Sequence, residues 1–395
     1  MFKNKALLPI AVVIFIDLLG FTIILPLLPF YATSFGASPE TIGYLVASYS
    51  VCQFFAGPVL GGLSDRFGRR PLLIYSQLGS MAGFILLAFA NSLPILFLSR
   101  IIDGISGGNV TIASAYIADV TEPKERSGAM AIIGIGFGMG FVVGMPLGGM
   151  LAQHYGYAVP AFVAAGFALS STLLSTFYLK EHHHVRDDSV IFGWHYYTRI
   201  FEYLRIPNLR TLLLTFLFFV LPFSLFMSMF SLFAMLKLQF TPEDIGLFMG
   251  FVGVLGVLWQ GGVIRPLVRK LGELTCLRIG LAAMVVGLLG LAVAQTIPVL
   301  ASVAVLLSFG TGITRPTISS LITQYAPPTR KGGALGVSSS LESFSRAITP
   351  ILGGWIIGGL HPNYIGYIGA LMAAVAVFFS MRVHYDSRDL AKATP

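Results

Sequence analysis

Of the charged side chains that fall inside long apolar runs, where charge is costly, six could do chemistry: Asp17, Arg100, Asp103, Arg315, Glu342 and Arg346. A charge at the centre of a membrane-spanning helix costs at least ~2.5–3.5 kcal/mol, so each should meet a partner or a water-filled path. Arg100 and Asp103 are spaced i, i+3, and Glu342 and Arg346 i, i+4 in acid-before-base order, so each pair can neutralise itself on one helix face. Asp17 has no basic residue within a helical turn. A carboxylate so placed can pass between charged and neutral forms, which is proton-transfer chemistry. Asp17 is therefore the first candidate proton carrier, with Asp103 and Glu342 behind it and Arg100 and Arg346 beside them. Histidines lie only outside the apolar runs, so a proton relay through them must use carboxylates. Arg315, just before Pro316, either faces a cavity and attracts an anionic substrate or pairs with Glu342.

The elements that position these groups are apolar helices. Of 395 residues 55% are hydrophobic and 11% charged, with a mean hydropathy of +0.82. A soluble domain carries charge on about a quarter of its residues. Apolar runs predict twelve spanning helices, near 6–31, 41–63, 72–90, 94–117, 128–151, 158–180, 210–234, 244–264, 273–293, 297–320, 333–359 and 364–382. The formal charge of +8 suggests a polyanion partner until its distribution is read. With the N-terminus inside, most lysines and arginines fall in loops on that same side, which places both termini in the cytoplasm and leaves no basis for a nucleic-acid partner. Lys3 and Lys5 precede a run too long for a secretory signal and interrupted by Asp17. Cys52 and Cys276 lie in different halves and read as packing residues.

Six helices fall on either side of a polar segment, giving a first bundle over 1–180, a linker over 181–209 and a second bundle over 210–395. The linker opens with a charge run holding His182, His183 and His184, a weak metal pattern. It then turns aromatic and basic (Trp194 to Arg205), which suits an amphipathic helix at the membrane interface. The halves echo one another. Gly261–Lys270 repeats Gly61–Arg70 with Arg265 in place of Asp65, and Pro328–Gly333 repeats Pro123–Gly128. Pro350–Gly354 likewise repeats Pro146–Gly149. Three echoes in one order argue for duplication.

Gly61-Gly62-Leu63-Ser64-Asp65-Arg66-Phe67-Gly68-Arg69-Arg70-Pro71-Leu72-Leu73 follows the pattern G-x-L-a-D-r-x-G-r-k-x-x-l. In this loop the chain resembles the major facilitator superfamily, and the resemblance extends over nearly its whole length. It is closest to the twelve-helix drug/proton antiporters, tetracycline exporters included. Asp17 through Pro26 and Pro29 is similar to their helix 1 signature. Arg100 and Gly104 match their R-x-x-x-G element, which in the family is tied to proton transfer. Gly140, Gly144, Pro146, Gly148 and Gly149 resemble the antiporter signature G-x-x-x-G-P-x-x-G-G, with Met145 at the usual proline position and Pro146 one residue later. One residue turns the kink by about a hundred degrees.

The resemblance implies an all-α integral membrane fold of two pseudo-symmetric six-helix bundles, with substrate held at mid-membrane between parallel repeats. It implies a cytoplasmic gate at Gly61, Asp65, Arg66, Gly68, Arg69 and Arg70. There Asp65 would engage Arg126 and the N-terminal end of helix 11. Candidate cavity residues are Phe21, Tyr49, Gln53, Asn109, Phe137, Phe223, Gln260 and Arg315. The function expected is alternating-access, proton-coupled export of a small amphipathic compound or drug by a monomer in the plasma (inner) membrane. It would be energised by the proton gradient, without cofactor or metal. The alternative is proton-coupled or facilitated import of a metabolite such as a sugar or organic acid. An enzyme is not expected, because no His-x-x-x-His metal pattern occurs.

Overall fold

The computed structural model describes residues 7–122, 125–181, 203–327 and 331–383, and these form helices joined by short turns. Twelve long helices follow in order: α1 (Leu7–Ser34), α2 (Pro39–Phe67), α3 (Arg69–Ala88), α4 (Leu93–Val120), α5 (Gly128–Tyr155), α6 (Ala158–Tyr178), α7 (Pro207–Leu238), α8 (Pro242–Leu271), α9 (Glu273–Val293), α10 (Ile297–Tyr325), α11 (Lys331–Gly359) and α12 (Tyr364–Met381). All but α11 are long and apolar enough to cross a membrane. α11 has the length, at 29 residues, but carries Ser338, Ser339, Ser340, Glu342, Ser343, Ser345, Arg346 and Thr349 through its middle. Its lower hydropathy is that polar stretch.

Breaks within the spans follow from local chemistry. α1 opens into a turn at 25–27 that contains Pro26 and precedes Pro29, where proline removes an amide donor from the ladder. α4 is interrupted at Ser106-Gly107-Gly108. α5 and α8 each contain a π-helical turn, Gly140–Gly144 and Trp259–Val263, in which Met145 N–H bonds Gly140 O and Ile264 N–H bonds Trp259 O. Pro146 and Pro266 follow shortly after, and their missing amides free the carbonyls just upstream.

Most of these helices are apolar all round, so packing side and lipid side are told apart by residue size. α6 buries Ala161, Ala164, Ala165, Ala168, Ser171, Thr172 and Ser175 and exposes Phe162, Leu169, Leu173 and Phe177. α12 likewise buries Gly366, Gly369, Ala370, Ala373 and Ala376. A Cβ on Gly366 would come within 2.6 Å of Ala292 N and Leu288 O, so α12 lies directly on the backbone of α9.

The chain divides into two compact units, 1–192 with 239–254 and 193–238 with 255–395. Their pairings repeat. In the first unit α1 packs on α5 and α6, α3 on α4 and α6, and α2 on α4. In the second, α7 packs on α11 and α12, α9 on α10 and α12, and α8 on α10. Each pair recurs six helices later, as duplication requires. The 239–254 stretch joins the first unit because α8 begins against α5: Cβ atoms on Gly149, Gly246 and Gly250 would meet Pro242 O at 2.3 Å, Met145 O at 2.6 Å and Pro146 Cγ at 2.5 Å. The segment expected as a linker over 181–209 falls mostly outside the described residues, including His182, His183, His184 and the expected amphipathic helix. At its edges, Glu181 binds the first unit and α7 already begins at Pro207.

Candidate functional site

Asp17 projects from α1 into the contact between α1, α3 and α6. Its Oδ2 accepts from Gln77 Nε2 at 3.1 Å and its Oδ1 from Ser171 Oγ at 2.5 Å. Gln77 Nε2 also donates to Ser171 Oγ at 2.6 Å. Gln77 and Ser171 are fully buried, and Gln77 Oε1 has no partner. Among the described residues Asp17 is held by an amide and a hydroxyl, with no cation. The small residues of α6 place Ser171 here, because they let that helix approach α1 and α3 closely.

One step along α3 stands a second acid, and this one is buried. Asp103 Oδ2 lies 3.2 Å from Arg100 Nη1, both residues are 2% exposed, and Ser80 of α3 hydrogen-bonds the carboxylate. The Arg100 guanidinium also covers the Phe84 ring at 5.6 Å, while its Nε and Nη2 have no partner. Gly83 permits this approach, since a Cβ there would meet Asp103 Cβ at 2.9 Å. Asp17 and Asp103 are close enough for their charges to interact. Among the described residues this group thus holds two acids, Asp103 buried and Asp17 partly buried, and one buried cation, Arg100. Uptake of a single proton brings this group to neutrality.

The second unit holds the opposite balance. Glu342 on α11 accepts from Arg315 Nη2 of α10 through Oε2 and from Arg346 Nη2 through Oε1, each at 2.5 Å. Of the two possibilities open for Arg315 in the sequence, the pairing with Glu342 is present here, and the guanidinium is nevertheless half exposed.

The candidate cavity residues fall into separate neighbourhoods. Phe21 and Tyr49 rings lie 5.5 Å apart, and Gln53 donates to Tyr49 Oη at 3.0 Å and to Gly107 O at 2.9 Å, joining α1, α2 and the break in α4. Asn109, just beyond that break, has a buried Oδ1 without a partner. Phe137 packs instead on the apolar core around Ile10, Ile14 and Ile117. Phe223 stacks on Phe219 at 6.5 Å, and Gln260 is exposed on the π turn of α8.

The turn between α2 and α3 is tightly cross-linked. Gly61 starts it, and its carbonyl accepts from Ser64 Oγ. Asp65 pairs with Arg69 at 2.5 Å, and Arg69 also reaches Asp119 at 2.9 Å and Ser64 Oγ at 2.7 Å. Arg66 lies over the Phe67 ring, and Arg126 donates to Ala118 O at 2.9 Å. Sequence reasoning missed Glu181. Its carboxylate accepts the first two amides of α3, from Arg69 at 3.0 Å and Arg70 at 3.1 Å, where a helix N-terminus favours an anion. Arg70 returns the contact to Thr176 O at 2.5 Å. Gly68, at φ +102°, leaves room for that carboxylate, which a Cβ would meet at 2.9 Å. Nothing in the spacing marked Glu181, because it lay in an apparently solvated charge run.

On α5, Gly140, Gly144 and Gly148 line one stripe against α1, where Cβ atoms would meet Thr22 at 3.0 Å, Thr22 Oγ1 at 2.2 Å and Ile23 O at 2.2 Å. A spacing of four residues keeps them on one face. Gly149 and Pro146, off that stripe, meet α8.

A family model described as Major Facilitator Superfamily matches residues 10–346 and 263–394. The class E tetracycline resistance protein of Escherichia coli is 29% identical over 370 residues, covering 92% of this chain and 91% of that protein. Multidrug resistance protein 2 of Bacillus subtilis (strain 168) is 28% identical over 388 residues, covering 96% and 95%. Among solved structures, the human organic anion transporter MFSD10 (TETRAN) superposes with a TM-score of 0.74 at 25% identity, over 96% of this chain and 100% of that one.

Proposed function

Because the chain belongs to the major facilitator superfamily, and is a multi-pass membrane transporter rather than an enzyme, we propose that it exports a small amphipathic organic compound in exchange for protons by alternating access. The observation that carries this reading is the excess of acid within the helix contacts of the first unit, partly buried Asp17 with buried Asp103 against Arg100 alone. Gln77 suits a carboxyl that changes state. Its amide donates to an ionised Asp17, and after a flip its unpartnered Oε1 can accept from a protonated one. Arg100 stays beside Asp103 in both states and keeps the cluster from carrying two uncompensated negative charges. The drug-resistance proteins it resembles over more than nine-tenths of its length support an organic cargo and the outward direction. In this reading the chain works as a monomer in the plasma (inner) membrane with both termini in the cytoplasm. The proton gradient is its energy source.

The importer reading is favoured by one feature, Met145 standing where the antiporter signature has proline. Direction is decided in inverted membrane vesicles under an imposed inside-acid gradient, with tetracycline, ethidium and dansylglycine as probes. Export predicts gradient-dependent uptake of at least one probe into the vesicles and lower accumulation in intact expressing cells. Higher accumulation in intact cells on expression would establish import.

A further inference from the structure

We infer that the α10–α11 face of the second unit is an oxyanion-docking site, and that the cargo presents a carboxylate, or a group of like shape and charge, to Arg315 and Arg346. This rests on the transporter reading above but not on its direction or proton coupling. Arg315 lies well inside the 297–325 span, and Glu342 and Arg346 lie near the middle of 331–359. The side chains of Arg315 and Arg346 are 50% and 43% exposed, whereas Glu342 is only 16% exposed. Charges open at that depth cannot face lipid without a cost of at least ~2.5–3.5 kcal/mol each on insertion scales, so this face meets water. Phe344, two residues from either charge and hence on the other side of α11, is 45% exposed and suits the hydrocarbon.

Neutralising Glu342 takes one guanidinium, and the structure supplies two. Both carboxylate oxygens are occupied, one by each arginine. Each guanidinium carries five N–H donors, and each makes one hydrogen bond among the described residues. What remains is a net positive charge with open forked donors, the arrangement that takes a carboxylate in bidentate fashion. Glu342 acts from beneath as the strut that holds the two forks side by side. Ser339 and Ser343 lie on the same face of α11 and extend its polar stripe. The amphipathic body of the cargo has a surface beside this head. One turn along α10 from Arg315, Gly312 packs on Trp259, whose ring meets Phe309 edge-on at 5.3 Å.

The test is binding to the purified full-length protein in phosphatidylcholine nanodiscs, with no gradient. The probe is dansylglycine, read by its fluorescence, with indole-3-acetate and 2-naphthoate as competitors and the primary amide of each acid as the neutral control. The acids are expected to bind about tenfold or more tighter than their amides, and Arg315→Gln or Arg346→Gln to remove that preference, as loss of a charge-assisted hydrogen bond corresponds to roughly 10- to 100-fold. Glu342→Gln is expected to tighten acid binding about tenfold by removing the competing charge, a gain that misfolding cannot imitate. Equal binding of acids and amides, no binding of any acid, or weaker binding by Glu342→Gln overturns the site. Exchanging a third of the lipid for phosphatidylglycerol is expected to leave the affinities unchanged. Loss of probe binding there would make the face a lipid headgroup site and remove the cargo assignment. Because no gradient is applied, failure here leaves proton-driven export standing, and failure of the vesicle experiment leaves this site standing.

Discussion

Arg100 and Asp103 show how a buried pair behaves when its partners are few. Breaking such a pair leaves one uncompensated charge in a dry helix contact and costs about 3–5 kcal/mol, whereas removing both charges restores much of the loss. Arg100→Ala should therefore lower the unfolding midpoint in detergent markedly, and Arg100→Ala with Asp103→Ala should recover at least half of the difference. A double variant no more stable than the single one would mean that the pair is not coupled as drawn. The sequence exposes such residues readily, because a charge in an apolar run is conspicuous. It also exposes pairs on one helix, such as Glu342 with Arg346. Partners brought by tertiary packing are invisible to it. Gln77 and Ser171 lie 60 and 154 positions from Asp17, and their types are ordinary for a membrane helix. Arg315 was left with two readings for the same reason, since the contact that decides between them joins two helices.

At the scale of helices, close approach decides which glycines matter. A Cβ on Gly148 would stand 2.2 Å from Ile23 O, a backbone atom that cannot yield unless α1 moves away from α5. On the same helix, a Cβ on Gly134 would meet nothing within 4 Å. Gly148→Ala should lower thermal stability by about 1–3 kcal/mol through overpacking, while Gly134→Ala should be neutral or slightly stabilising. Equal melting of the two variants would contradict the α1–α5 contact. Spans were legible here because apolar length is nearly sufficient to define them, and even polar α11 was found from its flanking apolar residues. The partner of the glycine stripe was not legible, since a four-residue period names a face without naming its neighbour. The π turns at Gly140–Gly144 and Trp259–Val263 were missed as well. They depend on how freed carbonyls re-pair upstream of a proline, which no residue pattern states.

For the molecule as a whole, the duplication was readable from echoes between Gly61–Arg70 and Gly261–Lys270, and the helix pairings repeat accordingly. The departures from symmetry were not readable. Residues 239–254 pack with the first unit through glycines of α8, and the two units carry opposite charge balance. An excess of acid within the helix contacts lies in one and an excess of exposed arginine in the other. In the proposed account that division separates two tasks, proton uptake at Asp17 and cargo docking at Arg315 and Arg346, and a lesion in one should spare the other. The most direct measurement uses proteoliposomes holding wild-type or Asp17→Asn protein and a probe concentrated by the wild type. Wild-type protein should drive accumulation under a pH gradient and also exchange labelled for unlabelled probe without one. Asp17→Asn should lose the driven accumulation while keeping the exchange. Driven accumulation at the wild-type level in Asp17→Asn would contradict the account.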